Sequence, residues 1–398
     1  MKRQQASLRE HAVGRHGLMA QYDFFLITIF LFVMILGLVM VESSSITIAD
    51  RLYSDPFYFF KRQAISVLIG LSLGFLVIKI PLAFWEYLSV YLLAIAVVLL
   101  VLVLIPGVGK EVNGSMRWIS LGPVNLQSSE PAKLFTLMYL AGYLVRHGEK
   151  VCTTFSGFIR PIGVVTLVAG LLLLEPDYGA AVVLFATTLG MLFVGGVPLS
   201  RFFAWVMVAT VTLFSLAVLS PYRMQRLVSF LDPWQDPFNS GFQLTQALIA
   251  FGRGEWLGVG LGSSIQKLFY LPEAHTDFVF AVFAEEFGFV GVVILVLTFF
   301  FIVWRAFVIA QIAQQLGKLF SAYLAYGIGL LIGLQAFINI GVNMGVLPTK
   351  GLTLPLISYG NNSMIISCTL IALLIRIEFE NHYSVSQEIH GGMPGYAI

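Results

Sequence analysis

Residues 24–41 read FFLITIFLFVMILGLVMV, a run without a single charge. About 18 apolar residues in a row are what an α-helix needs to begin crossing the roughly 30 Å hydrocarbon core of a bilayer. Lys2, Arg3, Arg9 and Arg15 precede the run and no small-residue cleavage site follows it, so it is a retained helix and not a removed signal. Runs of this kind recur from end to end with no separate polar domain. Apolar residues make up 58% of the chain and charged ones 11%, against about 25% charged in soluble domains, and mean hydropathy is +0.88. The chain is therefore an all-α polytopic integral membrane protein. A net charge of +2, with no basic run interleaved with aromatics, argues against a nucleic-acid binder. Cys152 is expected in a loop and Cys368 in a helix, which leaves no disulfide framework or thiolate metal site.

The windows predict about ten transmembrane helices, roughly 24–41, 64–80, 86–105, 130–146, 161–174, 178–197, 202–219, 278–304, 319–347 and 359–376. An even number puts both termini on one side. The basic N-terminus, Lys79, the loop from Arg146 to Arg160, Arg201, Arg305, Lys318 and Arg376 then share the face that the positive-inside rule assigns to the cytoplasm. The expected divisions are a cytoplasmic segment 1–23, a membrane domain 24–376 and a cytoplasmic tail 377–398, disordered after Glu380. Three outer segments are rich in turn residues: 106–129, 220–277 and 348–358. The middle one, between the seventh and eighth helices, is too long to be plain loop, and Gly241 to Phe251 is predicted to form a short amphipathic helix within it.

The outer face is basic too, with Arg51, Lys61, Arg62, Lys110, Arg117, Arg223, Arg226, Arg253, Lys267 and Lys350 in or beside its loops. Two explanations are open. An anionic ligand would be attracted and held by clustered cations beside a low-dielectric wall, and anionic lipid headgroups would serve equally. Leu271 to Phe280 is a polar loop that ends at Asp277 where a long apolar run begins. Its carboxylate either caps that helix or does chemistry at the membrane surface. Gln127 to Leu134 is a polar cap followed by a proline tolerated in the first turn, and Glu130 and Lys133, three apart, share one helix face. They form either a structural ion pair or a phosphate-binding lysine with its orienting acid. Lys110 to Ile119 joins the turn signal Asn113-Gly114 to Arg117 and Trp118, an interfacial anchor beside a cation. Gly258 to Gly262 could form a backbone nest for an anion. Glu285 and Glu286, about two turns into the eighth helix, are expected as a buried structural pair, and His275 as a loop residue.

Arg117-Trp-Ile, Ser129-Glu-Pro-Ala-Lys133, Glu175-Pro-Asp177, Gly241 to Gln246, Leu271 to Phe280, Glu285-Glu286 and Leu347 to Gly360 together resemble the SEDS family of shape, elongation, division and sporulation. The Leu271 and Lys350 motifs look most like its cell-division type. The resemblance implies a bacterial inner-membrane glycosyltransferase at the division septum that polymerises lipid II into peptidoglycan on the outer face. It also implies a class B penicillin-binding transpeptidase (FtsI type) and small division proteins (FtsQ, FtsL and FtsB type) as partners. The family's essential loop acid falls on Asp277, and its helix-head acid and cation on Glu130 and Lys133. This chain departs from the family pattern at Ser128, Glu175 and Asn361-Asn362, where Pro, Gln and Gly-Ser are common.

In the expected reaction Asp277 takes a proton from an acceptor hydroxyl that attacks an anomeric carbon, and a lipid diphosphate leaves. Lys133 stabilises the leaving charge. Arg62, Gln266, Lys267 and Ser358 join Arg117 and Lys110 as the expected substrate-binding set. No cofactor is required by the sequence, although a divalent cation (Mg or Mn) on the diphosphate is chemically reasonable. A lipid II flippase and a non-catalytic scaffold for the transpeptidase are the rival readings.

Overall fold

Long helices form at each of the ten apolar windows, and most of them run past the ends that hydropathy marks. The structure, a computed structural model, describes residues 23–112, 115–122, 124–218, 224, 229–239, 241–348 and 351–391. The helices are α1 (Phe24–Tyr53), α2 (Tyr58–Lys79), α3 (Leu82–Leu104), α4 (Ser129–Thr153), α5 (Phe155–Leu174), α6 (Tyr178–Val194), α7 (Leu199–Val218), the short α8 (Phe242–Gly254), then α9 (Val279–Gln315), α10 (Leu319–Asn343) and α11 (Asn361–Gly391). Among the described residues, seven of them, α1, α2, α3, α5, α9, α10 and α11, are long and apolar enough to cross a membrane. The polar head of α4 and the 17 residues of α6 fall short of that measure. Both are packed inside the bundle, where protein partners replace lipid. α8 occupies the outer segment expected to hold an amphipathic helix.

The helices outrun hydropathy where charges find partners. Asp23 caps α1 by accepting from the Leu26 amide (3.0 Å) and also pairs with Arg305 of α9, which reaches Glu378 of α11 at 2.5 Å. Glu380 pairs with Arg376 (2.9 Å) and accepts from the Leu82 amide (3.0 Å). The tail expected to be disordered after Glu380 is therefore a continuation of α11 to Gly391, and residues 392–398 lie outside the described residues. Cys152 also lies in a helix, near the end of α4, and not in a loop.

The outer segment 106–129 holds a small antiparallel sheet that an all-α reading leaves out: β1 (Gly109–Val112), β2 (Ser115–Leu121) and β3 (Val124–Gln127), in that order. β1 and β2 pair with Val112 opposite Ser115; the Asn113-Gly114 turn signal between them lies outside the described residues.

α9 is interrupted at Gly288 (φ 66°, ψ −168°). A broken helix near lipid must find other partners for its opened backbone. The loop after α8 supplies them: the amides of Phe289 and Val290 donate to the carbonyls of Glu255 (2.9 Å) and Trp256 (3.1 Å), and those of Val259 and Gly260 donate to the carbonyls of Glu285 (3.0 Å) and Glu286 (3.1 Å). A Cβ on Gly288 would stand 2.3 Å from the Gly258 nitrogen, so only glycine fits. The possible anion nest at Gly258 to Gly262 has three of its amides, those of Gly258, Val259 and Gly260, committed to carbonyls of Gly254, Glu285 and Glu286.

Candidate active site

Asp277 stands just before α9, half-buried, yet Phe278 is the residue in the cap position and no side chain of its own caps the helix. The Oδ1 of Asn343, on α10, accepts instead from the Ala281 amide at 3.2 Å. That amide also donates to the Phe278 carbonyl (3.0 Å), so the first turn of α9 draws on its own backbone and on α10. The Asp277 main-chain carbonyl accepts from Nδ2 of both Asn339 and Asn343, each at 2.9 Å. Its carboxylate lies against Gly351, where an added Cβ would come within 2.9 Å of Oδ2.

The head of α4 forms the other half. Pro131 in the first turn costs no hydrogen bond, since that amide has no helical partner anyway, and the Glu130 and Lys133 side chains emerge on one face. Lys133 is 1% exposed and donates to Glu130 Oε1 at 2.9 Å and to Gln335 Oε1 on α10 at 3.2 Å. Gln335, Asn339 and Asn343 follow at i, i+4 and i+8, so they form one polar row along α10. The row spans about 12 Å at 1.5 Å per residue. It joins the Glu130–Lys133 pair at one end to Asp277 at the other.

The segment from Gly351 to Gly360 runs beside this row. Leu352 carbonyl accepts from Asn339 (2.5 Å), and Thr353 carbonyl from Gln335 (3.1 Å). Its non-helical backbone is tolerated at this depth because Leu352, Leu354, Leu356 and Ile357 are buried in protein. Ser358 Oγ accepts from the Leu354 amide at 2.8 Å, and Gln63 donates to the Ser358 carbonyl at 3.1 Å. Ser358 thus serves the turn.

Some of the other expected substrate contacts are also occupied. Lys267 Nζ donates to Glu286 Oε1 (2.7 Å) and to Ser43 Oγ (2.9 Å), and is buried. Glu285, fully buried, pairs with Arg253 at 2.5 Å and accepts from the amides of Ile265 (3.0 Å) and Gln266 (3.3 Å). Glu285 and Glu286 are thus buried and ion-paired, and they tie the loop after α8 to α9 through the Lys267 side chain and the Gln266 amide, while Gln266 Oε1 is buried without a hydrogen-bond partner among the described residues. Arg117 donates to the carbonyls of Glu175 (3.1 Å) and Pro176 (2.5 Å), pinning the sheet to the connection between α5 and α6. Lys110 and Arg62 are exposed, and the Arg62 guanidinium lies 4.8 Å from the Tyr58 ring centre. Arg223, Arg226 and Lys350 lie outside the described residues. His275 is buried beside the rings of Phe59 (4.4 Å) and Tyr359 (5.6 Å), and burial holds its imidazole below the ordinary value.

Glu175, in the connection after α5, is fully buried and accepts from Ser128 Oγ at 2.9 Å. Burial pushes its carboxyl up to about 8; Ser128 and Arg117 oppose the shift and Asp177 adds to it. Below its ordinary value of 4.5 the acid is protonated folded or unfolded. As pH climbs from there towards about 8 the unfolded chain gives up the proton and the folded one keeps it, so stability falls across that window and the loss is complete above it. Glu175→Gln should flatten this part of the melting-temperature profile; an unchanged slope would remove Glu175 as its source.

The cell cycle protein family model named for FtsW, RodA and SpoVE matches residues 23–383. Probable peptidoglycan glycosyltransferase FtsW of Thioalkalivibrio sulfidiphilus is 59% identical over 345 residues, covering 87% of this chain and 86% of the relative. The protein of the same description from Nitrosococcus halophilus is 56% identical over 372 residues, covering 94% and 95%. Among solved structures, a chain of a peptidoglycan synthase complex that coordinates polymerization and crosslinking superposes with a TM-score of 0.73 at 31% identity, over 90% of this chain and 98% of that one. The rod shape determining protein RodA of Thermus thermophilus gives 0.66 at 29% identity, over 90% and 96%.

Proposed function

The chain belongs to the FtsW/RodA/SpoVE family of cell cycle proteins, the SEDS family, and from that premise we propose that it is a peptidoglycan glycosyltransferase of cell division whose substrate is lipid II. A hydroxyl is a poor nucleophile at neutral pH. In this reading the Asp277 carboxylate takes its proton as the oxygen attacks the anomeric carbon of the donor, and the lipid diphosphate leaves from the opposite side, so the centre inverts. Charge gathers on the diphosphate as the bond breaks. An ammonium has three N–H donors; Glu130 and Gln335 account for two on Lys133, and the third is assigned to that diphosphate. Glu130 orients the lysine. Exposed Lys110 and Arg62 remain suited to draw the anionic substrate in, whereas the side chains of Arg117, Lys267 and Ser358 are bound within the protein.

The observation that supports this most is the α10 row, which draws Asp277 and the Glu130–Lys133 pair onto one polar line. A divalent cation, Mg or Mn, would ride on the diphosphate oxygens; among the described residues no group of three or more His, Cys, Asp or Glu side chains gathers to hold one. The likeness to a chain of a polymerizing and crosslinking complex supports a crosslinking partner. The finer assignments are a class B transpeptidase of FtsI type with FtsQ, FtsL and FtsB types beside it, and an outer-face site in the bacterial inner membrane at the septum. Purified protein in detergent, given lipid II together with its transpeptidase, should build glycan strands resolvable by length. Detergent abolishes sidedness, so a flippase or a scaffold would return only unreacted lipid II, and that result would overturn the proposal.

A further inference from the structure

We propose that Asn339 and Asn343 are positioning residues that set where the Asp277 carboxylate stands, with Gly351 as the surface that leaves room for it; this rests on reading Asp277 as the general base. An amide nitrogen buried in an apolar helix is costly unless both its hydrogens are bonded. Here all four are used. Asn339 Nδ2 donates to the carbonyls of Asp277 (2.9 Å) and Leu352 (2.5 Å), and Asn343 Nδ2 to those of Asp277 (2.9 Å) and Asn339 (2.9 Å).

Asn343 Oδ1 accepts from the Ala281 amide (3.2 Å), which the Phe278 carbonyl also engages (3.0 Å). The donors do something else. Two of them converge on one carbonyl, filling both its lone pairs, and that carbonyl belongs to the residue whose side chain is assigned the chemistry. Through its second hydrogen Asn339 also bridges Asp277 to residue 352, which holds residue 351 against the carboxylate. Gly351 has no Cβ there, and one would meet Oδ2 at 2.9 Å. The oxygen is the far end of a flexible side chain, so a methyl group would displace the acid at little cost to the fold. Base catalysis depends on such placement, and a displacement of about 1 Å can cost on the order of 100-fold in rate.

The test uses the full-length protein with its transpeptidase partner, with lipid II as the probe. The Asn339→Ala/Asn343→Ala double variant, Gly351→Ala and Asp277→Asn are compared for kcat, KM, melting temperature and the fraction able to bind lipid II. The double variant should lose roughly 100-fold in kcat per binding-competent molecule, with KM unchanged. A purely structural role would instead lower the competent fraction and leave kcat per competent molecule intact. Gly351→Ala retains both asparagines, so it should melt normally and still lose kcat, which keeps the inference testable if the double variant fails to fold. Wild-type kcat per competent molecule in either variant, beside an inactive Asp277→Asn, overturns the positioning inference alone. An active Asp277→Asn overturns the base assignment beneath it.

Discussion

Asp277→Asn should make almost no glycan while folding, melting and binding lipid II like the wild type. The exchange keeps the side-chain shape and removes the negative charge together with the capacity to accept a proton. Phe278 holds the cap position, and the Ala281 amide is served by Asn343 and by the Phe278 carbonyl. The exchange does not disturb the two asparagine bonds, which end on the main-chain carbonyl. General-base assistance contributes about 10²- to 10⁴-fold, so residual activity should be on the order of 1% or less. Polymerisation by the purified variant, resolved by strand length and free of any contaminating polymerase, is the measurement. Near-wild-type strands would sink the base assignment, and activity falling only in step with melting would return Asp277 to a structural part.

Lys133→Ala should be both inactive and unstable, and the two losses can be separated. Removing the ammonium leaves Glu130 and the Gln335 oxygen in a buried place without their shared donor. Breaking one partner out of a buried pair typically costs about 3–5 kcal/mol. The neutral double replacement Glu130→Gln/Lys133→Met removes both charges at similar volume and should recover most of that stability. It should recover no glycan synthesis, since the cation assigned to the leaving diphosphate is still missing. Restoration of activity along with stability would make the pair structural only. Independent, additive effects of the two single substitutions on activity would show that they do not act as a unit.

Local pattern carried much of this protein. Hydropathy along ten windows located the helices, because transfer into lipid is decided residue by residue over a short stretch, but α1, α9 and α11 run well past the ends it marks. The Glu130–Lys133 pair was legible for the same reason, since three residues of helix bring two side chains onto one face wherever the helix ends up. Long ordered motifs carried the family.

What the windows could not see was how charges and amides would be satisfied at a distance. Lys267 was expected to meet substrate and instead meets Glu286 and Ser43, the latter 224 residues away in sequence. Gln335, Asn339 and Asn343 carried a readable signal, polar residues at i, i+4 and i+8 in an apolar helix, but spacing alone names the face and not its partners. Whether a buried polar group is structural or chemically available depends on what fills its remaining hydrogen bonds. For Arg117 and Lys267 those partners come from distant segments, for Ser358 from the Leu354 amide of its own turn, and for the row on α10 they include Lys133 and the main chain at Asp277. Composition and periodicity thus determined that the chain spans a membrane and roughly where. Packing decided which cations are already bound within the protein and which acid is held at the edge of the bundle, because hydrogen-bond partnership is a property of three-dimensional neighbours and not of sequence neighbours.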